Sequence, residues 1–244
     1  MLEGLYTAAA GMAAQQQRMD SLSNDIANTN TAGYKRVRVG FRDLIYQQDG
    51  PGGVRTGSGA SAVQIGRGAE QGALQTTGEP FDVAIQGPGY FQVRRADNGQ
   101  LALTRVGNFN VDANGQLVTA HGDQVQPPVR LPRGVDPSSV HIGSDGTIST
   151  GARRLGQLQV FTVPAPSGLQ AAGDSYYTVT AASGAVRRAT PATTTLQQGA
   201  LEGSNVDLSD SMVDMMDAQR SYSMASKAIH MQDQMMEIAN GVKQ

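Results

Sequence analysis

Both ends of the chain carry apolar residues at intervals of seven. Near the N-terminus this stripe consists of Leu5, Met12, Met19 and Ile26. A second row, offset by three residues, consists of Ala8, Gln15 and Leu22. Because these intervals fall on one face of a helix, the pattern predicts an amphipathic helix from about residue 3 to residue 28. The helix should end in segment 28–33, where Thr and Asn compete for backbone hydrogen bonds and Gly33 can take a left-handed cap.

The C-terminal pattern is longer and has two apolar sides. One side keeps the interval of seven at Leu208, Met215, Tyr222, Ile229 and Met236, with Met212 beside them. The other side consists of Met224, Ala228, Met231, Met235, Ile238 and Val242. The pattern predicts a helix from about residue 208 to residue 241, with Asp207 or Asn205 as N-cap. Since one partner helix covers only one side, we expect the other side to be buried by a second copy of the chain.

The middle of the chain has the pattern of short antiparallel strands. Turn dipeptides occur at Asn98-Gly99, Asn114-Gly115 and Asp145-Gly146, each between short apolar stretches, and they predict hairpins. The sequence Gln-Gly-Ala-Leu occurs twice, at 71–74 and 198–201, and we expect the two copies to lie side by side where the chain leaves and returns. The Gly-rich stretch 50–68 is typical of a flexible arm or long loop.

These patterns predict a mainly β fold with α-helical termini. A central antiparallel β domain is expected beside N- and C-terminal helices that pack together as a coiled-coil-like pair. The predicted division is an N-terminal helix and exit turn at 1–35, an extended Gly-rich arm at 36–74, the β domain at 75–195, and a return strand with the C-terminal helix at 196–244.

Composition supports this division of the chain and excludes several classes of function and of site. All ten Met lie in segments 1–19 and 212–236, whereas all ten Pro and all but three of the 30 Gly lie between residues 33 and 203. A net charge of -2 over 244 residues gives no electrostatic footprint for nucleic acid. The absence of Cys excludes disulfides and thiolate metal sites. Glu3 stands where a secretory signal has basic residues, so export by a cleaved signal peptide is not expected.

Candidate catalytic chemistry is absent from the sequence. The three imidazoles, His121, His141 and His230, are scattered and have no metal-ligand spacing. Gly66-Arg67-Gly68 has neither the spacing nor the strand-to-helix context of a dinucleotide turn, and segment 112–115 is better explained as a hairpin turn than as a calcium loop. The sequence therefore predicts a protein that is not an enzyme, with no cofactor and no small-molecule substrate.

Four segments, in order along the chain, resemble signatures of the bacterial flagellar rod and hook proteins. They are Ala27-Asn28-Thr29-Asn30-Thr31-Ala32-Gly33-Tyr34-Lys35-Arg36, the central segment Asp82 to Phe91, segment 104–118 beginning Thr104-Arg105-Val106-Gly107-Asn108-Phe109, and segment 201–227 beginning Leu201-Glu202-Gly203-Ser204-Asn205-Val206. Within this family, Gln219-Arg220-Ser221-Tyr222 favours the distal rod class. The chain is short for that class between Tyr46 and Gly68, as a proximal rod protein would be.

The resemblance implies a structural subunit of the flagellar basal-body rod. Such a subunit is exported through the flagellar type III apparatus without a cleaved signal peptide, and it lies in the extracytoplasmic, periplasmic part of the basal body. Its copies self-assemble into a helical tubular drive shaft that transmits torque from motor to hook. The implied partners are further copies of itself, other rod proteins, the hook protein and the rings around the rod.

The expected assembly interface combines the helix stripes with the signature turns. Its residues are Leu5, Met12, Met19, Leu22, Ile26, Asn28, Gly33, Tyr34, Lys35, Asn205, Met212, Met215, Gln219, Arg220, Tyr222, Ile229, Met231, Met235 and Met236. Two alternatives stay open on the sequence alone. One is a proximal rod protein of the same family, and the other is a secreted β-rich binding protein or enzyme with helical appendages.

Overall fold

The computed structural model describes residues 2–44, 47–48, 55–132, 134–190 and 193–241. The chain divides into two compact units. The first unit contains segments 1–27, 37–65 and 207–244, and the second contains segments 28–36 and 66–206. Among the described residues, no helix combines the length and the apolar character that crossing a bilayer requires.

The described residues form two α-helices, two short 3₁₀ helices and 20 strands. The α-helices are α1 (Leu2–Ala27) and α2 (Leu208–Gly241), and the 3₁₀ helices are Pro137–Ser139 and Pro166–Gly168. The strands are β1 (Val37–Asp43), β2 (Gln47–Gln48), β3 (Arg55–Thr56), β4 (Ala60–Arg67), β5 (Leu74–Thr76), β6 (Val83–Gln86), β7 (Tyr90–Arg94), β8 (Leu101–Thr104), β9 (Phe109–Val111), β10 (Leu117–Thr119), β11 (Gln124–Gln126), β12 (Val140–Ile142), β13 (Thr147–Thr150), β14 (Arg153–Gln157), β15 (Val160–Thr162), β16 (Gln170–Ala171), β17 (Tyr176–Thr178), β18 (Arg187–Arg188), β19 (Thr195–Gln198) and β20 (Ala200–Glu202).

In the first unit the two helices pack against each other and run antiparallel. Near one end, Gly4 lies against the amide of Gln232, which is 2.8 Å from the position of a Cβ added to Gly4. Further along, the Arg18 guanidinium contacts the Asp214 carboxylate at 2.9 Å. Moving forward along α1 therefore means moving backward along α2. Both predicted helices are confirmed, α1 to within one residue at each end and α2 at both ends.

The N-terminus of α2 is capped by Asp207, one of the two predicted caps. Its Oδ1 accepts hydrogen bonds from the backbone N–H groups of Ser209 at 2.8 Å and Asp210 at 3.2 Å. Its backbone carbonyl accepts the Ser211 hydroxyl at 2.6 Å. The other candidate, Asn205, uses its side chain elsewhere, in the second unit.

Part of the Gly-rich stretch 50–68 is more ordered than its glycines indicate. Residues 60–67 form β4, which pairs with β1, and β2 pairs antiparallel with β3. The expectation of a flexible arm or long loop is therefore wrong for β4. Backbone pairing with β1 defines this strand, and the Ile65 side chain packs over Gly40, where an added Cβ would lie 3.1 Å from Ile65 Cγ2. Residues 49–54 lie outside the described part of the chain.

The second unit is built on one antiparallel sheet of nine strands. Seven strands follow the order β16-β17-β8-β7-β11-β10-β9, and β15 pairs with both β7 and β18. The core between its elements includes Phe91, Val93, Leu117, Val125, Ile148 and Leu158. Strands β12, β13 and β14 form a second, three-stranded sheet. The antiparallel centre and helical ends confirm the predicted fold class, while the predicted domain bounds stay a prediction.

The three predicted hairpins are present. The Asn98-Gly99 turn joins β7 to β8, the Asn114-Gly115 turn joins β9 to β10, and the Asp145-Gly146 turn joins β12 to β13. In each turn the glycine has a positive φ, between 67° and 81°, which a residue with a Cβ adopts only at a cost.

The strands that contain the ends of the two Gln-Gly-Ala-Leu copies pair, but the copies are offset along them, with Leu74 opposite Glu202, so the expectation that the copies lie side by side is wrong in register. Strands β5 and β20 pair antiparallel, with Leu201 opposite Gln75. The two glutamines also use their side chains in the same way. Gln71 donates to the Ile85 carbonyl at 2.7 Å and accepts from the Gly87 N–H at 3.0 Å. Gln198 donates to the Val140 carbonyl and accepts from the backbone of Ile142.

Candidate assembly interface

The face of α2 directed toward α1 is made of small and half-buried side chains. Ser211 and Ala218 are fully buried. Met215, Ile229 and Met236, three members of the predicted first stripe, are half-buried. These positions recur at intervals of three, four or seven and so share one side of the helix. Small side chains at Ser211 and Ala218 let the two backbones approach closely.

The matching face of α1 is covered along most of its length. Ala14 and Leu22 are buried. The other predicted stripe positions, Leu5, Met12, Met19 and Ile26, are half-buried. Of the large apolar side chains on this helix, Tyr6 stands out at 73% exposed. The N-terminal stripe is thus used largely within one copy.

The opposite side of α2 remains exposed. Five of its apolar side chains keep more than half of their surface in solvent: Val213 at 54%, Met224 at 64%, Met231 at 58%, Met235 at 57% and Ile238 at 67%. At 100° per residue these five lie on one side of the helix, away from Ala218. Val242 of the predicted second stripe lies outside the described residues. The predicted two-sided character of this helix is therefore present in the folded chain.

Four further predicted interface residues of α2 are exposed. Met212 is 50% exposed and Tyr222 is 37% exposed. Gln219 and Arg220 are also exposed, on the same helix. A row of exposed Met residues on a long helix is a surface that adapts to several packing geometries, because the thioether chain has three rotatable bonds.

A buried charge cluster, here called the ion hub, lies in the second unit. It consists of Lys35, Arg105 and Glu202. Glu202 Oε1 accepts from Lys35 Nζ at 2.5 Å, and Oε2 accepts from Arg105 Nε at 2.5 Å. The side chains are 4%, 6% and 0% exposed, respectively, so all three charges are shielded from water. Burial lowers the pKa of Lys35, and the hydrogen bond and charge of Glu202 oppose that shift.

The charged groups of the hub also bond to backbone groups. Lys35 Nζ also donates to the Glu70 carbonyl at 2.7 Å. Arg105 donates to the carbonyls of Gly87, at 2.7 Å, and Gly89. Glu202 Oε1 accepts a further bond from the Gly72 N–H at 3.0 Å. Buried ions are tolerated when they are paired and hydrogen-bonded, and each charged group of the hub has an ion-pair partner and at least one backbone hydrogen bond.

The signature turn is held to the return segment beside the hub. The Gly33 N–H donates to the Glu202 carbonyl at 2.7 Å. The Arg36 N–H donates to Asn205 Oδ1 at 2.7 Å, and Asn205 Nδ2 donates to the Glu70 carbonyl at 3.1 Å. The chain segments that follow α1 and precede α2 are therefore fastened to each other.

The structure brings together four of the predicted site residues at this place. Gly33, Tyr34 and Lys35 are buried, and Asn205 is half-buried. Asn28 lies in the same turn, where its Oδ1 accepts from the Thr31 hydroxyl at 3.1 Å. Their contacts described here lie within one copy. Their part in an interface between copies stays a prediction.

Two hub residues were not among the predicted site residues. Arg105 and Glu202 lie inside the resembling segments, but neither belongs to a helix stripe or turn signal. A signal was present, since each is a charged residue within a short β pattern, next to apolar or small residues that become buried. The two ion pairs join residues that lie 97 and 167 positions apart along the chain, so no local pattern joins them.

A cleft of about 460 Å³ lies in the second unit beside the signature turn. Its walls include Tyr34, Arg67, His121, Asp174 and Tyr177. Burial raises the pKa of Tyr177 to about 12, so its hydroxyl is neutral and cannot act as a base near pH 7. Arg67 lies 5.3 Å from the Tyr34 ring centre and 5.8 Å from that of Tyr177. Within the described residues there is no group of three or more His, Asp or Glu that could hold a metal ion.

Comparison with known proteins gives matches along the whole chain. Residues 5–35 match the family described as "Flagella basal body rod protein", residues 84–150 the "Flagellar hook protein FlgE/F/G D1 domain", and residues 197–242 the "Flagellar basal body rod FlgEFG protein C-terminal". The chain is 37% identical to the flagellar basal-body rod protein FlgG of Borreliella burgdorferi, over 100% of this chain and 99% of the relative. It is 38% identical to FlgG of Caulobacter vibrioides, over 99% and 100%. It is 31% identical to the flagellar hook-basal body complex protein FlhP of Bacillus subtilis, over 100% of both chains.

Proposed function

The chain belongs to the flagellar basal-body rod protein family and is a structural subunit of the rod, and on this premise we propose that its copies polymerise into a helical tube through their terminal helices. The tube would serve as the drive shaft that transmits torque from motor to hook. Family membership places the subunit in the flagellar basal body, assembled with other rod and hook components.

The observation that carries the proposal is the exposed side of α2. Five apolar side chains on one side of this helix are each more than half exposed. Full burial of such a side chain contributes about 1.5–3 kcal/mol, so covering the exposed half of each contributes roughly 1 kcal/mol. Several such contributions favour association once copies meet at high concentration.

The kind of polymer follows from the asymmetry of the surface. One side of α2 is already used by α1 of the same copy, which leaves the other side for a neighbour. We propose that the neighbour covers it with a different part of its own surface. A contact between two different surfaces is heterologous, and when it does not close into a ring it produces a helical filament. A tubular shaft is one such filament.

The ion hub suits a subunit that carries mechanical load. It fastens segment 33–36 to segment 202–205 through backbone and side-chain bonds in the second unit. Force on the chain near either helix would therefore act on a buried structure held by several hydrogen bonds and ion pairs rather than on a single flexible connection. We propose that this is how a subunit transmits torque without local unfolding. Contacts with the rings around the rod remain part of the same hypothesis.

A pair of α2 variants tests the polymer. Met224→Glu with Met231→Glu would place two charges on the exposed apolar side, and burying them between copies is costly. The matched control, Ser223→Glu with His230→Glu, adds two carboxylates one residue earlier, about 100° around the helix. Sedimentation and electron microscopy should show polymers for the wild type and the control at high concentration, and none for the Met variant.

Two results would contradict the proposal. One is a wild-type chain that remains monomeric at every concentration reached. The other is a Met variant that polymerises as readily as the control, which would mean that the exposed side of α2 is not the contact. Circular dichroism checks that all three chains contain the same amount of helix.

A further inference from the structure

The strand pair β1–β4 presents a positively charged face with an apolar centre. Arg38, Gly40 and Arg42 alternate along β1 and therefore share one face. The Ile65 side chain lies over Gly40 on that face, and it is 52% exposed. Both arginines are exposed. Along the strand this face is positive at Arg38, apolar at Ile65 and positive at Arg42. We call it the arm face.

The first turns of α2 present the opposite pattern. Asp210, Val213 and Asp217 are separated by three and four residues and lie on one side of the helix. Val213 is 54% exposed, and both carboxylates are exposed. Along the helix this surface is negative, apolar and negative in turn. We call it the helix face. It is the N-terminal part of the exposed side of α2, and the C-terminal part from Met224 to Ile238 carries no acidic residue on that side.

None of these four charges has an oppositely charged partner within 4 Å among the described residues. The contrast is Asp214, one position along from Val213, which pairs with Arg18 at 2.9 Å. Asp210 lies in the first turn of α2, where the helix dipole stabilises a negative charge. That explanation does not extend to Asp217, which is about two turns further along the helix.

The spacings of the two faces are compatible. Four residues of a strand place Arg38 and Arg42 about 13 Å apart. Seven residues of a helix place Asp210 and Asp217 about 10.5 Å apart. Long, flexible Arg side chains span the difference, and in both faces the apolar side chain lies between the charges. Both faces are exposed within a single copy, so the arm face does not cover the helix face of its own chain.

We propose that the arm face of one copy docks on the helix face of a second copy, with Arg38 and Arg42 pairing with Asp210 and Asp217 and Ile65 packing on Val213. This contact rests on the proposed polymer and names one of its interfaces. It joins two different surfaces, as a helical polymer requires. Charge complementarity of this kind fixes register and suppresses wrong partners.

Two charge-reversal variants of the full chain test the contact. The arm variant is Arg38→Glu with Arg42→Glu, and the helix variant is Asp210→Lys with Asp217→Lys. Each variant alone places like charges across the contact, so each should need at least about tenfold more protein than the wild type to polymerise. In an equal mixture, every copy of one variant can alternate with a copy of the other, and every contact again joins opposite charges. The mixture should polymerise within about twofold of the wild-type concentration.

The control is Arg153→Glu with Arg154→Glu, which reverses two exposed arginines of β14 and should leave polymerisation unchanged. Circular dichroism checks the helix content of each chain. If the lysines lower it, Asp210→Asn with Asp217→Asn replaces them, and its mixture with the arm variant should still polymerise at a lower concentration than the arm variant alone.

The outcomes separate this contact from the polymer itself. A wild type that forms no polymer overturns the proposed function and this contact with it. A wild type that polymerises, with an arm variant that does so equally well, overturns the contact alone. The contact is also overturned if both variants fail singly and their mixture fails too, because the charges then act within one copy or on another protein.

Discussion

The ion hub and the exposed side of α2 are opposite in character: the hub buries charged side chains, and α2 exposes apolar ones. In the hub, three charges are buried, and they bond one another and backbone groups of the same copy. On α2, apolar side chains are exposed, and neither Asp210 nor Asp217 has an oppositely charged partner within 4 Å among the described residues. We therefore expect the hub to stabilise a single copy and, under the proposed function, the exposed side of α2 to contribute to association. A subunit that must stay folded before it assembles and bind strongly afterwards needs both arrangements.

The largest expected effect is a break in the hub. Glu202→Ala removes the only acidic partner described for Lys35 and Arg105 in the hub and leaves two buried cations unpaired. We expect the free energy of unfolding to fall by about 3–5 kcal/mol, as for other buried ion pairs that lose one member. Urea unfolding at a concentration where the chain is monomeric measures the change.

The control for this variant is Glu79→Ala, which removes an exposed carboxylate and should change the free energy by less than about 0.5 kcal/mol. A Glu202→Ala chain as stable as this control would show that the hub does not stabilise a single copy. The contrast between the two regions would then disappear.

The helices show why part of this arrangement is predictable from sequence. The interval of seven repeats over several turns of both helices, so an error at one position does not hide the pattern. Asp207 is recognisable because an acidic residue directly before an apolar repeat satisfies the free N–H groups of the first turn. The hairpins are equally local, since the glycines of their turns need positive φ.

The hub could not be predicted from the sequence because its contacts are not local, whereas the helices follow from a local pattern. Lys35, Arg105 and Glu202 are brought together only by the completed fold, and a charge in a short strand pattern does not reveal its partner. Strand β4 was missed because glycines normally weaken strands, whereas here Gly40 leaves room for the Ile65 side chain. The exposed side of α2 was predicted. The arm face was not, because it forms only when β4 pairs with β1 and places Ile65 between the two arginines of β1.

A glycine beside the hub gives an intermediate effect. Gly33 has φ of 67°, and a Cβ there would lie 2.9 Å from Val106 Cγ2 and 3.0 Å from the Val106 backbone nitrogen. Gly78 has φ of 79°, and a Cβ there would have no atom within 4 Å. Ala at either position is strained by its positive φ, at about 1–2 kcal/mol. Only Gly33→Ala adds crowding, so we expect it to lower the free energy of unfolding by a further 1–2 kcal/mol or so.

Urea unfolding of the two Ala variants measures this difference directly, because the shared backbone strain cancels. Equal losses at both positions would mean that the packing beside Gly33 relaxes freely. The segment that follows α1 would then be less rigid than its hydrogen bonds to Glu202 and Asn205 indicate.

The smallest expected effect concerns the first turn of α2. Asp207→Ala removes the acceptor for the N–H groups of Ser209 and Asp210, and loss of an N-cap costs about 1 kcal/mol. Asp207→Asn keeps a side-chain oxygen and is the matched control. Amide hydrogen exchange should show faster opening of residues 208–211 in the Ala variant and near wild-type protection in the Asn variant.

Because the helix face begins at Asp210, the Ala variant should also polymerise at a somewhat higher concentration. If the first turn opens faster without any change in polymerisation, the early part of α2 contributes to single-copy stability only, and the division of roles between the hub and α2 must be redrawn at this point of the helix.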